Sequence, residues 1–157
     1  MRIGIGYDVH AFADDRELVL GGVLFENERG LAGHSDADVL THALMDALLG
    51  ALREGDIGRL FPDTDPAYRG VSSLDLLAAV AALVGERGFA VVDADCVLAL
   101  EEPKVSPRRE AMRDAMAAAL GIDRERIGLK ATTTEGLGFT GRREGVAAWA
   151  VVLLERA

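Results

Sequence analysis

Cysteine is nearly absent: Cys96 is the only one in 157 residues, and it lies inside an apolar run. A lone thiol excludes a disulfide framework and makes a reducing compartment, the cytoplasm, the expected location. Lysine is almost as scarce. Two lysines stand beside 15 arginines, and the 26 acidic residues outweigh all 17 basic ones for a net charge of −9. Binding along a nucleic-acid backbone needs clustered cations, so that class of partner is excluded. No apolar run approaches the roughly 18 residues of a membrane-spanning helix, and Met1 leads directly into a strand pattern rather than a basic stretch and an apolar one. Neither a membrane span nor a secretion signal is expected.

What remains is an ordinary globular composition, 50% hydrophobic and 27% charged. By size scaling a chain this long buries roughly 70% of its unfolded surface without a staple. The acidic balance still permits a small phosphorylated ligand, because local donors and a metal ion can reverse the field inside one pocket. Both lysines, Lys104 and Lys130, fall in stretches that carry other polar signals.

Histidine is also rare, and its three copies, His10, His34 and His42, all lie near the start. Ile3, Ile5, Tyr7 and Val9 alternate with Gly4, Gly6, Asp8 and His10, the period of a half-buried strand. That alternation sends Asp8 and His10 to one face, where they can hold a metal ion. His42, on the helix that follows, is a candidate third ligand, and a His2Asp set leaves a fourth zinc position open to substrate or water. Nitrogen and oxygen ligands of this kind suit zinc without being exclusive to it. Against this, an Asp and a His two residues apart on a strand are commonplace. Asp38, His42 and Asp46 share a helix face at i, i+4 spacing. One of those acids would orient the imidazole, or both merely solvate an exposed face.

The remaining elements follow from periodicity and punctuation. Leu18 to Phe25, with Gly21-Gly22 at its centre, predicts a hairpin on the sheet edge. Val39, Leu40, Ala43, Leu44, Ala47, Leu48 and Leu52 predict a helix started by Asp36 or Asp38 and ended by Gly55. Asp56 to Pro66, with two prolines and several acids, reads as a functional loop, neither helix nor strand. A second helix, capped by Ser72 or Ser73, runs to Gly88, and Phe89 to Leu100 is a strand. A third helix starts at Ser106-Pro107 and ends at Gly121, with Met112, Ala115, Met116, Ala119 and Leu120 on its buried face. Ile127 to Thr133 is a strand leading into a glycine-rich turn, and Val146 to Leu154 is a central or interface strand. The expected class is α+β: one domain over residues 1–157, with helices packed on one face of a mixed β-sheet.

Lys130-Ala131-Thr132-Thr133-Thr134-Glu135 sets a cation, three hydroxyls and a carboxylate at a strand's end. Threonine favours strands in any case. The run also suits a cradle for phosphate oxygens and a magnesium ion.

Taken together, Ile3 to His10, His34-Ser35-Asp36-x-Asp38 through His42, Asp56-Ile57-Gly58, Leu60 to Asp65, Pro103-Lys104, Lys130 to Glu135 and Gly138-Phe139-Thr140-Gly141-Arg142 closely resemble 2-C-methyl-D-erythritol 2,4-cyclodiphosphate synthase, in order and over nearly the whole chain. The resemblance implies cyclisation of 4-diphosphocytidyl-2-C-methyl-D-erythritol 2-phosphate with release of CMP, in non-mevalonate isoprenoid biosynthesis. It further implies zinc, or a similar divalent ion, on Asp8, His10 and His42, and magnesium or manganese on Glu135. His34 and Thr133 would steady the transition state. Leu100, Pro103, Lys104, Val105 and Ser106, with Ala131, Thr132 and Thr134, would hold the cytidine diphosphate part of the substrate. Ser35, Asp56, Ile57, Gly58, Phe61, Pro62, Asp63, Thr64 and Asp65 would contact the methylerythritol side. By the same resemblance the protein is a homotrimer with its sheets toward the threefold axis, active sites at subunit interfaces, and Phe139 and Arg142 facing an axial cavity that in some relatives holds an isoprenoid diphosphate.

Overall fold

A computed structural model describes residues 1–157. The alternation in β1 (Arg2–Ala13) is present, but the buried face is the glycine face. Ile3, Ile5, Tyr7 and Val9 are exposed, Ile5 by 70%, while Gly4 and Gly6 are buried. Close approach of a helix explains this. A Cβ at Gly4 or Gly6 would stand 1.9 Å from the carbonyl oxygen of Ala47 or Ala43, so only glycine lets the helix lie directly on the strand.

The Gly21-Gly22 hairpin forms as expected, from β2 (Leu18–Leu20) and β3 (Val23–Phe25), with φ of 56° and 75° at the two glycines. It does not join the sheet edge. The two strands make a sheet of their own, and the short β4 (Gly30–Leu31) takes the edge beside β1. Asp38 is responsible: its carboxylate accepts the N–H groups of Gly21 and Gly22 at 2.9 and 2.7 Å, which ties the hairpin turn to the start of the first helix. The same side chain accepts Thr41 N at 3.1 Å, so Asp38 and not Asp36 is the N-cap.

That helix, α1 (Val39–Leu52), ends earlier than Gly55, because Arg53 adopts the left-handed conformation at φ 67° and closes it. Within the expected loop the acids act as caps. Asp56 starts a single turn, α2 (Ile57–Leu60), and Asp65 starts a 3-10 turn at Pro66–Tyr68. Then come α3 (Ser73–Glu86), β5 (Phe89–Ala99), and α4 (Arg109–Leu120) after a 3-10 turn at Ser106–Arg108. Gly121, at φ 67°, ends α4 as expected. The chain closes with β6 (Ile127–Thr132), one helical turn α5 (Gly138–Gly141) in the glycine-rich segment, and β7 (Gly145–Arg156).

The main sheet runs β4-β1-β7-β5-β6, antiparallel except for the parallel β5–β6 pair, so it is mixed and β7 is central. α1 lies across β1 and β7, α3 against β5 and α4 against β6, all on one face. One contiguous core runs from Leu18 to Leu154. The class is therefore α+β with a single core. The other sheet face is open and presents Ile3, Ile5, Tyr7, Trp149 and Val151, with the Tyr7 and Trp149 rings 5.1 Å apart. No helix is long and apolar enough to cross a membrane.

Candidate active site

β1 carries Asp8 and His10 to the end of the covered face, and the first turn of α1 brings His42 against them. Asp8 Oδ2, His10 Nε2 and His42 Nδ1 form a triangle with sides of 2.8, 3.2 and 3.2 Å. Ligands at about 2.0–2.1 Å from a tetrahedral zinc stand roughly 3.3 Å apart, so this is a slightly contracted coordination face. The His10 ring is held from behind, where its Nδ1 donates to Ala32 O at 2.5 Å and leaves a lone pair on Nε2. Two imidazole nitrogens and a carboxylate oxygen thus converge on one point, and the set fits a divalent ion.

The electrostatics agree. Burial pushes the Asp8 carboxyl up, but hydrogen bonds to His10 and His42 and their charges prevail and hold it well below the usual carboxylate range. Burial pushes the His10 imidazole down, yet the hydrogen bond and charge of Asp8 prevail and raise it. Both shifts say that the triangle favours positive charge.

A cavity of about 380 Å³ opens beside these ligands. His34, Ser35, Ile57, Gly58, Phe61 and Asp63 line it, as expected of the substrate side. His34 Nε2 donates to Asp65 O at 3.1 Å, which joins the end of the 56–66 segment to the metal-ligand end. Asp56, Pro62, Thr64 and Asp65 do not line the cavity; Asp56 and Asp65 are occupied as caps. Tyr68 lines it unannounced by any motif, its ring edge-on to Phe61 at 5.3 Å.

A second cavity, about 220 Å³, lies where the parallel strands β5 and β6 end together. Leu100, Pro103, Lys104, Val105, Ser106, Ala131, Thr132 and Thr133 line it as expected, and Leu100 N donates to Thr132 O at 3.0 Å to align its two walls. Glu101, within the same 100–106 loop, and Lys130, at the head of the threonine run, line it too, and Leu129 and Arg109 are unanticipated members. Glu101 Oε1 accepts Thr134 N at 2.9 Å, so the acid braces the threonine turn. Thr134, Glu135, Phe139 and Arg142 lie outside the cavity. Glu135 is exposed at φ 54°, and Arg142 is paired with Glu144 at 3.0 Å. The two cavities share no lining residue, and His34 and Thr133 belong to different ones.

Residues 1–155 match the family model described as the YgbB family. The chain belongs to the YgbB family. It is 57% identical over 156 residues to a 2-C-methyl-D-erythritol 2,4-cyclodiphosphate synthase of Geotalea uraniireducens, covering 99% of each chain. It is 58% identical over 154 residues to a bifunctional enzyme IspD/IspF of Desulforudis audaxviator, where it covers 98% of this chain but 39% of the relative. A solved IspF–CDP complex from Plasmodium falciparum superposes with a TM-score of 0.85 at 32% identity, covering 99% of this chain and 96% of that one. The resemblance read from the motifs is borne out.

Within this YgbB-family chain, two expectations about acids near the metal ligands fail. Asp38 neither orients His42 nor solvates a surface: it is fully buried, and its oxygens are taken by Gly21, Gly22 and Thr41. Asp46 Oδ1 accepts Ile57 N at 2.8 Å and so anchors α2 to α1. What touches the far side of the His42 ring is a pair of hydroxyls, Ser35 Oγ at 3.1 Å and Ser73 Oγ at 3.0 Å. Cys96 takes no part. It is buried in the sheet, and burial pushes its thiol up to about 12, which keeps it unreactive.

Proposed function

We propose that the protein cyclises 4-diphosphocytidyl-2-C-methyl-D-erythritol 2-phosphate to 2-C-methyl-D-erythritol 2,4-cyclodiphosphate with release of CMP, as a phosphorus–oxygen lyase of non-mevalonate isoprenoid precursor biosynthesis. The observation that carries this reading is the ligand triangle beside a cavity in a chain that aligns end to end with a synthase. The substrate's own 2-phosphate is the nucleophile and is already anionic at neutral pH. It bonds to the distal phosphorus of the diphosphate, and the bond from that phosphorus to the bridging oxygen breaks, so the pair leaves with CMP.

Zinc held by Asp8, His10 and His42, with magnesium or manganese at Glu135, would supply Lewis-acid neutralisation on the order of several kcal/mol. The protein's own residues do the rest. His34, fixed by its bond to Asp65 O, would face phosphate oxygens in one cavity, and Thr133 would offer a hydroxyl in the other. Lys104 adds a cation beside the nucleotide phosphates. Fixed walls such as Phe61 and Tyr68 select one folded-back conformer of a substrate whose reacting groups already share a molecule, so only part of the roughly 7–11 kcal/mol available from proximity is needed.

The same reading includes a homotrimer whose open sheet faces meet at a threefold axis. Two observations support it: the contiguous apolar stripe on that face, and cavities that share no residue within one chain. A neighbouring chain's nucleotide cavity would then complete each metal cavity. Phe139 and Arg142 would border an axial space suited to an isoprenoid diphosphate, and the cytoplasm is the proposed location.

Incubation with the diphosphocytidyl substrate in solvent enriched in heavy oxygen tests the chemistry. CMP and a cyclic diphosphate free of solvent oxygen are expected. Solvent oxygen in the product would identify a hydrolase instead, and CDP binding without turnover a binding module.

A further inference from the structure

His42 can serve a metal through Nδ1 only if its proton resides on Nε2, and the structure contains a device that puts it there. Ser73 is the first residue of α3 and is fully buried. Its Oγ lies 3.0 Å from His42 Nε2 and also contacts Asp36 Oδ1. A carboxylate only accepts, so the single hydroxyl proton of Ser73 is committed to Asp36, and the oxygen must accept from His42. Asp36 is itself fixed. Its Oδ2 accepts Ser73 N at 2.9 Å and its Oδ1 accepts Asp38 N at 3.2 Å, so it binds the start of α3 to the segment before α1.

We propose that Asp36 and Ser73 are positioning residues that act through His42, fixing its tautomer and ring plane so that Nδ1 presents a lone pair beside Asp8 and His10. Ser35 Oγ, 3.1 Å from the same nitrogen, cannot replace this. Its hydroxyl is not tied to a carboxylate and is free to accept or donate. A chain that runs from a carboxylate through a hydroxyl to an imidazole serves the purpose of a direct carboxylate partner while keeping the negative charge one residue farther from the metal. It links α3, α1 and β1 at one point, 31 residues apart in sequence between His42 and Ser73.

The inference rests on the metal reading above, and one set of measurements separates the two. Zinc affinity is measured by competition with a chromophoric chelator, and the visible ligand-field bands are recorded on cobalt-loaded protein. The samples are the native chain, Ser73→Ala, Asp36→Asn and the double variant. Metal-free thermal melting is followed in parallel to register the loss of Asp36 as a cap. Ser73→Ala is expected to lose roughly 10- to 100-fold in zinc affinity and to shift the cobalt bands. Asp36→Asn can donate its amide to Ser73, which turns the hydroxyl proton toward His42 and favours the wrong tautomer. It is expected to weaken zinc in the native background and to add nothing in the Ser73→Ala background, whatever it does to melting. Unchanged affinity and bands in Ser73→Ala, or fully additive losses in the double variant, overturn the relay and leave the metal reading intact. Failure of the native chain to bind zinc overturns both.

Discussion

The two cavities are built on opposite principles. Around Asp8, His10 and His42 each imidazole is held from outside: Ala32 behind His10, Ser35 and Ser73 behind His42, Asp65 on His34. The cavity between Leu100 and Thr133 lies at two parallel strand ends and the loop that follows, and Lys104, Thr132 and Thr133 are exposed. The first is preorganised within one chain, which suits a cluster that would hold a divalent ion in fixed geometry. The second has fewer such side-chain ties, and its polar groups face solvent. Damage to the first should therefore act through metal and fold, and damage to the second through affinity for the nucleotide.

The most severe test is His42→Ala. Zinc and turnover should vanish together, with a fall of roughly 10³-fold or more, since several kcal/mol of charge stabilisation go with the ion. The fold should persist, because α1 is held by Leu40, Leu44, Leu48 and Leu49 in the core. Full zinc content by elemental analysis in that variant would break the ligand assignment. Gly6→Ala follows. The added Cβ meets Ala43 O at 1.9 Å, so α1 must lift from β1, at a cost of about 3 kcal/mol in urea unfolding. Zinc affinity should fall with it because His42 is the residue before Ala43. A nearly neutral substitution would show that the close strand–helix approach is not what sets the triangle.

Acidification gives a smaller, graded effect. His10 is raised above its ordinary value by Asp8, against the effect of burial, so it keeps its proton to a higher pH than a free imidazole. Metal ligation requires the neutral ring, so zinc affinity should decline as pH falls through that raised value, by about tenfold per unit, and level off above it. Asp8 stays ionised throughout this window. The metal-free fold behaves oppositely: its gain from protonated His10 is present below the unfolded imidazole value and is lost as pH rises through the folded one. Chelator titrations at stepped pH, with melting of the metal-free protein, would separate the two slopes.

Much of this architecture was legible in the residues, and the failures share a cause. Gly121 as a helix stop, the start of α1 and the central position of β7 depend on local signals and came out as expected. The orientation of β1 did not, because apolar and glycine alternates satisfy the same period and only the proximity of α1 decides which face is covered. The hairpin left the sheet edge because Asp38 captured its turn, a contact between residues 16 and 17 apart. Ser73 looks in sequence like any serine at a helix start, and Asp36 like a rival cap. Their partnership with His42 exists only after three elements pack. The Asp8, His10 and His42 cluster was readable because each member stands in a local motif, whereas Tyr68 reaches its cavity from a 3-10 turn and Arg109 from the start of α4, neither with a chemical pattern of its own.

The mildest expected effect belongs to the nucleotide side and concerns Glu101. Glu101 Oε1 accepts the N–H of Thr134 at 2.9 Å, and the Thr134 hydroxyl donates to Leu137 O at 2.7 Å and bonds Thr140 at 2.9 Å. The carboxylate is therefore the strut between the 100–106 loop and the threonine turn. A hydrogen bond to a charged group is worth about 1.5–3 kcal/mol, but the turn retains its backbone ladder to β5 and its tie to Thr140. Glu101→Ala should then weaken CDP binding by about tenfold, near the lower end of that range, and leave zinc affinity unchanged. Glu101→Gln, which keeps an acceptor at the same place, should recover most of the loss. Calorimetric titration of CDP and chelator competition for zinc on the same samples check both halves. A drop in zinc affinity in Glu101→Ala would show that the two cavities are coupled, through a neighbouring chain or through β7, and would end the division of labour between a rigid metal half and a more exposed nucleotide half.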